Sequence, residues 1–245
     1  MTLDSVETRP RAPLPRPDAP GVRLRHRVTE ANLLRHAGGP QRVLDVAGGG
    51  GTEAVRLALA GHEVTVLDPA GAMLFSAKAH AEEHGVADRV HVVQATAEDA
   101  PELFGEHDFD IALCHNLVHF ADDRLALLRA LAAPVREGGL LSVLAPNPVS
   151  TPLYAALKRH DPERALRELD GPLTTCTVEE VRADLSAVGT PVAGYYGVCC
   201  VAGYLPVEEL ADPESFAKVV ELELAMSARA EYARTARYFH LVARV

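Results

Sequence analysis

Short, almost wholly apolar runs alternate along this chain with longer stretches whose apolar positions recur every three or four residues. The runs 43–47, 63–67, 90–94, 109–114 and 140–145 predict strands, apolar as expected where helices cover both faces of a parallel sheet. The periodic stretches 52–60, 70–84 and 122–135 predict helices, the first two stopped by Gly61 and Gly85. Residues 95–105 read as short helical or irregular chain, and Gly138-Gly139 opens the run at 140–145. Upstream, Val22, Leu24, Val28, Ala31 and Leu34 predict a helix over 22–36 that ends at Gly38-Gly39-Pro40. Strict alternation with right-handed crossovers gives an α/β fold with a doubly wound, Rossmann-like sheet and a ligand crevice at the carboxyl ends of its first strands.

The pattern then changes. Residues 147–175 carry no strand pattern and predict a small helical insertion facing the substrate. Thr177 with Glu180 resembles a capping box for a helix over 178–188, ended by Gly189. A strand over 191–200, a helix from about 213 to 230 and a last strand, Ala236–Val245, complete the chain. Residues 1–20, with Pro10, Pro13, Pro15, Pro17 and Pro20, predict a disordered tail, and 21–245 a single domain.

Composition narrows the partners. The chain has 245 residues, 48% of them hydrophobic, enough for a substantial core. A net charge of −10 gives no general pull toward nucleic acid or anionic membrane. No apolar run approaches the roughly 20 residues that span a bilayer, and no apolar signal core opens the sequence. A cytoplasmic protein, monomeric or homodimeric, is the expectation. Cys114, Cys176, Cys199 and Cys200 form no C-x-x-C pair, which predicts reduced structural thiols and no metal site. If the strand at 191–200 is continuous, Cys199 and Cys200 face opposite ways.

The chemistry concentrates at Val43-Leu44-Asp45-Val46-Ala47-Gly48-Gly49-Gly50-Gly51-Thr52. Four consecutive glycines cost chain entropy that a steric need at a strand-to-helix turn offsets. Such a turn lets a nucleoside ligand approach the backbone. Gly49-Gly50-Gly51-Thr52-Glu53-Ala54 formally matches the G-x-G-x-x-A of nicotinamide and flavin enzymes. Asp45, inside the first strand, stands where those folds usually carry an apolar residue. It is suited to orienting the turn or receiving a cationic ligand. Asp68, at the tip of the second strand, is spaced from the glycines to accept hydrogen bonds from a ribose diol.

These segments resemble the class I S-adenosylmethionine-dependent methyltransferases. Val43–Gly51 is similar to that family's first motif, with Ala47 where glycine is more common. Leu67-Asp68-Pro69 with Met73 is similar to its ribose motif, and Gln94-Ala95-Thr96-Ala97-Glu98-Asp99 to its adenine segment. Phe109–Asn116 and Val135–Leu141 resemble its fourth strand and the entry to its fifth. A closer resemblance is to the subgroup containing the bacterial tRNA wobble-uridine carboxymethyl-ester methyltransferases. It is carried by Leu24-Arg25, His115–Phe120, Tyr196-Gly197-Val198, Leu222-Glu223 and Ala236–Ala243. The resemblance implies a seven-stranded sheet, mostly parallel, with an antiparallel last strand. It implies S-adenosylmethionine as donor and S-adenosylhomocysteine as product. It also implies that Arg25 pairs with the methionine carboxylate, which Arg23 or Arg27 could equally do on sequence alone. Ala47, Gly48 and Gly49 would lie along the donor, with Asp45 orienting the turn beneath them. Asp68, Pro69 and Met73 would hold the ribose end, Ala97 and Glu98 would contact adenine, and His115 would flank the methionine part.

The resemblance weakens on the acceptor side. The tRNA enzymes carry a lysine-rich stretch where this chain has Arg167-Glu168-Leu169-Asp170-Gly171-Pro172-Leu173. They carry an Arg and a His-Asp-Tyr where this chain has Gly197–Tyr204, keeping only Tyr204. An uncharged or cationic small-molecule acceptor is therefore expected, with nucleic acid as the alternative. A second alternative is a protein that binds S-adenosylmethionine without transferring its methyl group. His119 and Tyr204 are the candidate catalytic residues, His119 as a general base. Tyr154, Tyr238 and His240 are weaker candidates, and His80, His84, His91 and His107 read as surface residues.

Overall fold

The computed structural model describes residues 19–173 and 175–245. The tail expected over 1–20 lies outside the described residues, apart from its last two. In chain order the elements are α1 (Pro20–Leu34), β1 (Arg42–Val46), α2 (Thr52–Leu59), β2 (Glu63–Leu67), α3 (Gly71–Glu83) and β3 (Val90–Val93). They continue with α4 (Ala100–Leu103), β4 (Phe109–His115), α5 (Arg124–Ala132), β5 (Val135–Pro146), α6 (Thr151–Lys158), α7 (Pro162–Asp170) and α8 (Val178–Ala187). The last are β6 (Val192–Val198), α9 (Val207–Ala211), α10 (Pro213–Ser227), α11 (Ala230–Ala233) and β7 (Tyr238–Arg244).

The strands form one seven-stranded sheet in the order β3-β2-β1-β4-β5-β7-β6. β1 to β5 run parallel, and β7 inserts antiparallel between β5 and β6. The strand order reverses between β1 and β4, so the crevice of a doubly wound sheet opens at the carboxyl ends of those two strands.

Side-chain alternation divides the core. Val43, Ile111, Leu113 and Val242 face α2 with Ala54, Val55 and Leu57. Leu44, Ala112, Leu141 and Phe239 face the other way, toward Leu127, Leu128 and Leu131 of α5 and Val181 and Leu185 of α8. A third cluster, Leu24, Val28, Leu144, Val198, Phe216 and Val220, seats α1 against α10 and the end of β6.

Several boundaries depart from the pattern. α5 ends at Ala132, because Pro134 cannot continue a helix, and β5 begins already at Val135. Its pairing with β4 shifts register around Gly138-Gly139, where Gly138 is left-handed (φ 73°) and a Cβ on Gly139 would meet Val135 Cγ1 at 2.5 Å. β6 stops at Val198, not 200. The amides of Cys200, Val201 and Ala202 donate to the buried Glu223 carboxylate at 2.8, 2.8 and 2.7 Å instead of to a strand. Cys199 and Cys200 therefore lie in a turn, Cys199 with φ 59°, and do not face opposite sides of a strand. All four thiols are buried and free. Burial pushes Cys114 and Cys200 up to about 12, Cys199 further still, and raises Cys176 as well. The Thr177–Glu180 capping box forms, with the Thr177 amide donating to Glu180 at 2.8 Å. The region 147–175 folds largely into α6 and α7, while the short helices α9 and α11 have no counterpart in the expected pattern.

Candidate functional site

The glycine turn follows β1 at the crevice. Ala47 (φ 54°), Gly49 (φ 56°) and Gly51 (φ 72°) are all left-handed, which turns the chain sharply into α2. Ala47 takes this conformation at a steric cost that glycine avoids. Asp68 fastens the turn from β2. Its Oδ2 accepts the Gly49 amide at 3.0 Å, and its Oδ1 accepts the Ala70 amide at 2.9 Å. Gly51 admits α3, since a Cβ there would lie 2.8 Å from that of Ala77. Gly48 admits Asp45, whose buried Oδ2 has no hydrogen-bond partner. A side-chain-free turn with an acid at the tip of the neighbouring strand fits a nucleoside, and the unsatisfied Asp45 oxygen lies beneath that turn.

Two acids near this turn are shifted in opposite directions. Burial, followed by the nearby Glu53 and Asp68 carboxylates, raises Asp45 well above the ordinary carboxylate range. Burial alone would raise Glu53 too. The His115 and His26 rings outweigh it and hold Glu53 well below that range. The two carboxyls are thus shifted in opposite directions, Asp45 toward holding its proton and Glu53 toward the ionised form.

The other donor-side candidates surround these groups. His115, buried at the end of β4, places Nδ1 2.9 Å from Glu53 Oε1. Of the three α1 arginines only Arg25 is half-buried, with an unpartnered Nε and its guanidinium 5.4 Å from the Tyr238 ring centre. Arg23 and Arg27 are exposed, and Arg23 stacks over Phe216. Pro69, Met73 and Glu98 lie exposed on the rim, with Ala97 half-buried beside Glu98 in a turn at Ala97–Asp99.

The prospective acceptor side is built from other elements. His119 sits in a turn at Val118–Phe120 just beyond β4, with a buried, unpartnered Nδ1. Burial lowers its pKa, so the ring stays neutral. The Tyr204 hydroxyl donates to the Thr235 carbonyl at 3.0 Å, and burial raises its pKa, so the phenol keeps its proton at neutral pH. Arg237 lies 4.0 Å from the Tyr154 ring centre and donates to Ser150 Oγ at 2.9 Å, tying β7 to the start of the insertion. Lys158 of α6 donates to the Leu205 carbonyl. His240 is wholly buried and belongs to the core, Tyr238 is half-buried, and His84, His91 and His107 are exposed with His80 partly so.

Two features escaped the sequence reading. Glu53 looked like one letter of a glycine-turn motif, yet it is the hub of two histidines. Glu223 is fully buried in α10 and caps the turn after β6. A lone acid at an otherwise apolar helical position was the available signal for it. Among the described residues no group of three or more His, Cys, Asp or Glu is arranged to hold a metal ion, and no helix is long and apolar enough to cross a membrane.

Comparison with known proteins agrees with this geometry. Residues 43–139 match the methyltransferase domain family. The chain is 28% identical over 215 residues to the tRNA 5-carboxymethoxyuridine methyltransferase of Escherichia coli (strain K12), covering 84% of this chain and 81% of that one. Among solved structures, a Burkholderia thailandensis 1,6-didemethyltoxoflavin-N1-methyltransferase with bound 1,6-didemethyltoxoflavin and S-adenosylhomocysteine superposes with a TM-score of 0.57. Identity there is 21%, over 90% of this chain and 77% of that one. The [4+2]-cyclase SpnF superposes with a TM-score of 0.62 at 23% identity, over 89% of this chain and 80% of that one.

Proposed function

Given that this chain is a class I S-adenosylmethionine-dependent methyltransferase, we propose that it methylates an oxygen or nitrogen of an uncharged or cationic small molecule in the cytoplasm. The observation that carries this reading is the contrast between the two sides of the crevice. The donor side keeps its turn, its fastening aspartate and its acid beneath. The insertion, in contrast, presents aliphatic surface, with Leu153, Leu157, Leu166, Leu169 and Leu173 exposed along 153–173. Such a surface suits an acceptor with apolar area, and the insertion's Lys158, Arg159, Arg164 and Arg167 are offset by Asp161, Glu163, Glu168 and Asp170, which leaves it no net positive charge for polyanionic RNA. We assign residues 147–175 as the roof over the acceptor.

The donor, when bound, supplies a methyl group activated by a sulfonium. Asp68 takes the ribose diol, with Pro69 and Met73 against it, and Ala97 and Glu98 flank the adenine. Arg25 pairs with the donor carboxylate, which suits a planar guanidinium with a desolvated Nε. Ala47, Gly48 and Gly49 lie along the donor. Asp45, shifted by burial toward its protonated form, is suited to donate to the turn or to the ligand. His119 receives the acceptor's proton when the acceptor is a hydroxyl, because its ring is neutral and its Nδ1 unpartnered. A neutral amine attacks with its own lone pair and sheds its extra proton to solvent afterwards, so His119 then only shapes the pocket. Tyr204 acts as a positioning residue, since its hydroxyl is held by the Thr235 carbonyl.

Calorimetric titration with S-adenosylhomocysteine, with NADH as control, tests the donor side. Binding of the first alone supports the assignment, and binding of neither by folded protein refutes it. A second reading, methyl transfer to tRNA, draws on the Escherichia coli relative. Incorporation of labelled methyl into bulk tRNA would favour it over the small-molecule reading. Donor binding without methyl transfer to any acceptor in a broad panel of phenols and amines would favour a third reading, use of the bound donor without transfer.

A further inference from the structure

A chain of polar side chains runs across the strands on the α2 face of the sheet, and beyond Arg25 and His115 none of its members takes part in the transfer proposed above. It starts at Arg25, whose Nη2 lies 3.4 Å from His26 Nε2. His26 Nδ1 is 3.5 Å from Glu53 Oε1, and His115 Nδ1 reaches the same oxygen at 2.9 Å. Beyond His115, its Nε2 lies 2.8 Å from Ser142 Oγ, which in turn lies 2.8 Å from His240 Nε2. His26, His115, Ser142 and His240 are all buried. The chain links α1, α2, β4, β5 and β7.

Hydrogen placement gives this chain a direction. The Glu53 carboxylate is ionised, so it only accepts, and His115 Nδ1 must carry the hydrogen that faces it. In a neutral His115 the other nitrogen then accepts from the Ser142 hydroxyl. The Ser142 oxygen is left to accept from His240 Nε2–H, and the unpartnered His240 Nδ1 is the bare nitrogen. The reverse order with neutral rings would set the His115 Nδ1 lone pair against a carboxylate. With His115 neutral, one carboxylate thus fixes the tautomers of two rings on the α2 face of the sheet. Burying it costs desolvation that a packing role alone would not require.

We propose that Glu53 is a positioning residue for donor binding: it locks the ring of His115 in one tautomer, docks His26 beside it, and so holds the Arg25 turn and the end of β4 in the arrangement that receives the methionine part of the donor. This rests on the assignment of Arg25 and His115 to that part of the donor. An acid in the first turn of α2 also suits the helix dipole. That role would leave the His115 tautomer untouched, which separates the two.

The test combines S-adenosylhomocysteine titration with nitrogen NMR of the imidazoles in the folded protein. The wild type should bind and show His115 as the Nδ1–H tautomer. Glu53→Gln should bind about tenfold more weakly or worse, as for a lost hydrogen bond to a charged group, and should lose the single-tautomer signature. In a His115→Asn background the same change should cost less than in the wild type, because the part of its effect that passes through His115 is gone and only the His26 contact remains. Ser142→Ala, which leaves the carboxylate in place, should keep the Nδ1–H signature and so tests the proposal even if Glu53→Gln fails to fold. Wild-type affinity in Glu53→Gln, an equal loss in both backgrounds, or a His115 tautomer lost in Ser142→Ala would overturn the proposal. A wild-type protein that binds no S-adenosylhomocysteine would instead overturn the donor assignment beneath it.

Discussion

Gly48 lies directly against the carboxyl group of Asp45: a Cβ at Gly48 would sit 2.5 Å from Asp45 Oδ2 and 3.0 Å from Val66 Cγ1. The glycine in the turn makes room for an acid in the strand before it. Gly48→Ala should therefore destabilise the fold by about 1–3 kcal/mol, the usual range for overpacking. Adding Asp45→Ala should recover part of that loss, because the clash partner is gone. Denaturant unfolding of the two single variants and the double gives the coupling, and strict additivity would mean that the turn yields elsewhere.

Asp68 joins β2 to the turn and is also the proposed ribose ligand. Asp68→Ala should weaken S-adenosylhomocysteine binding by about 1.5–3 kcal/mol, roughly ten- to hundredfold. Asp68→Asn keeps one acceptor oxygen and should lose less. Calorimetry reads both, and unchanged affinity in the alanine variant removes Asp68 from the donor site.

Buried histidines make stability depend on pH with a definite sign. Burial, then the nearby His115, pulls His240 well below its ordinary value. His36, His62 and His119 shift the same way, each chiefly through burial. An unfolded histidine takes up its proton at about pH 6.5. Below that pH the unfolded chain binds more protons than the folded one, so stability should fall as the pH drops from there toward the folded values. Asp45, whose pKa is raised, acts oppositely: its contribution is lost as pH rises from the unfolded carboxylate value toward its folded one. The difference between wild type and His240→Gln across pH 5 to 8 (approximate bounds set by histidine titration) isolates the histidine. Urea midpoints should converge toward the acid end, and parallel curves would show that His240 titrates alike in both states.

Glu223 satisfies three amides in the turn after β6. Glu223→Ala should cost roughly 3 kcal/mol or more, since each orphaned buried donor costs about 1–3 kcal/mol. The turn carries Tyr204 and the Leu205 carbonyl that receives Lys158, so the acceptor side should loosen first. Hydrogen exchange at residues 200–204 in Glu223→Gln would show this, and protection equal to wild type would contradict it.

The parallel half of the sheet was legible in the sequence because each of its strands is a short, mostly apolar run set between helical patterns. The range Glu63–Leu67 fell where periodicity placed it. Boundaries failed where a long-range partner sets them. β6 is cut short by a carboxylate more than twenty residues away in α10. Asp45 and Asp68 stood out because acids at strand ends are conspicuous. Glu53 did not, because its meaning lies in His26 and His115, which reach it from α1 and β4. Of the three arginines in α1, only burial singles out Arg25.

The four buried cysteines bear on how this protein meets electrophiles. With their protons held so firmly, Cys114, Cys199 and Cys200 present no thiolate near neutral pH, and attack on alkylating agents requires one. Iodoacetamide should modify the chain only as fast as it opens. The added mass on each thiol then becomes a clock: Cys114 times the rupture of the parallel sheet at β4, and Cys199 and Cys200 time the release of the turn held by Glu223.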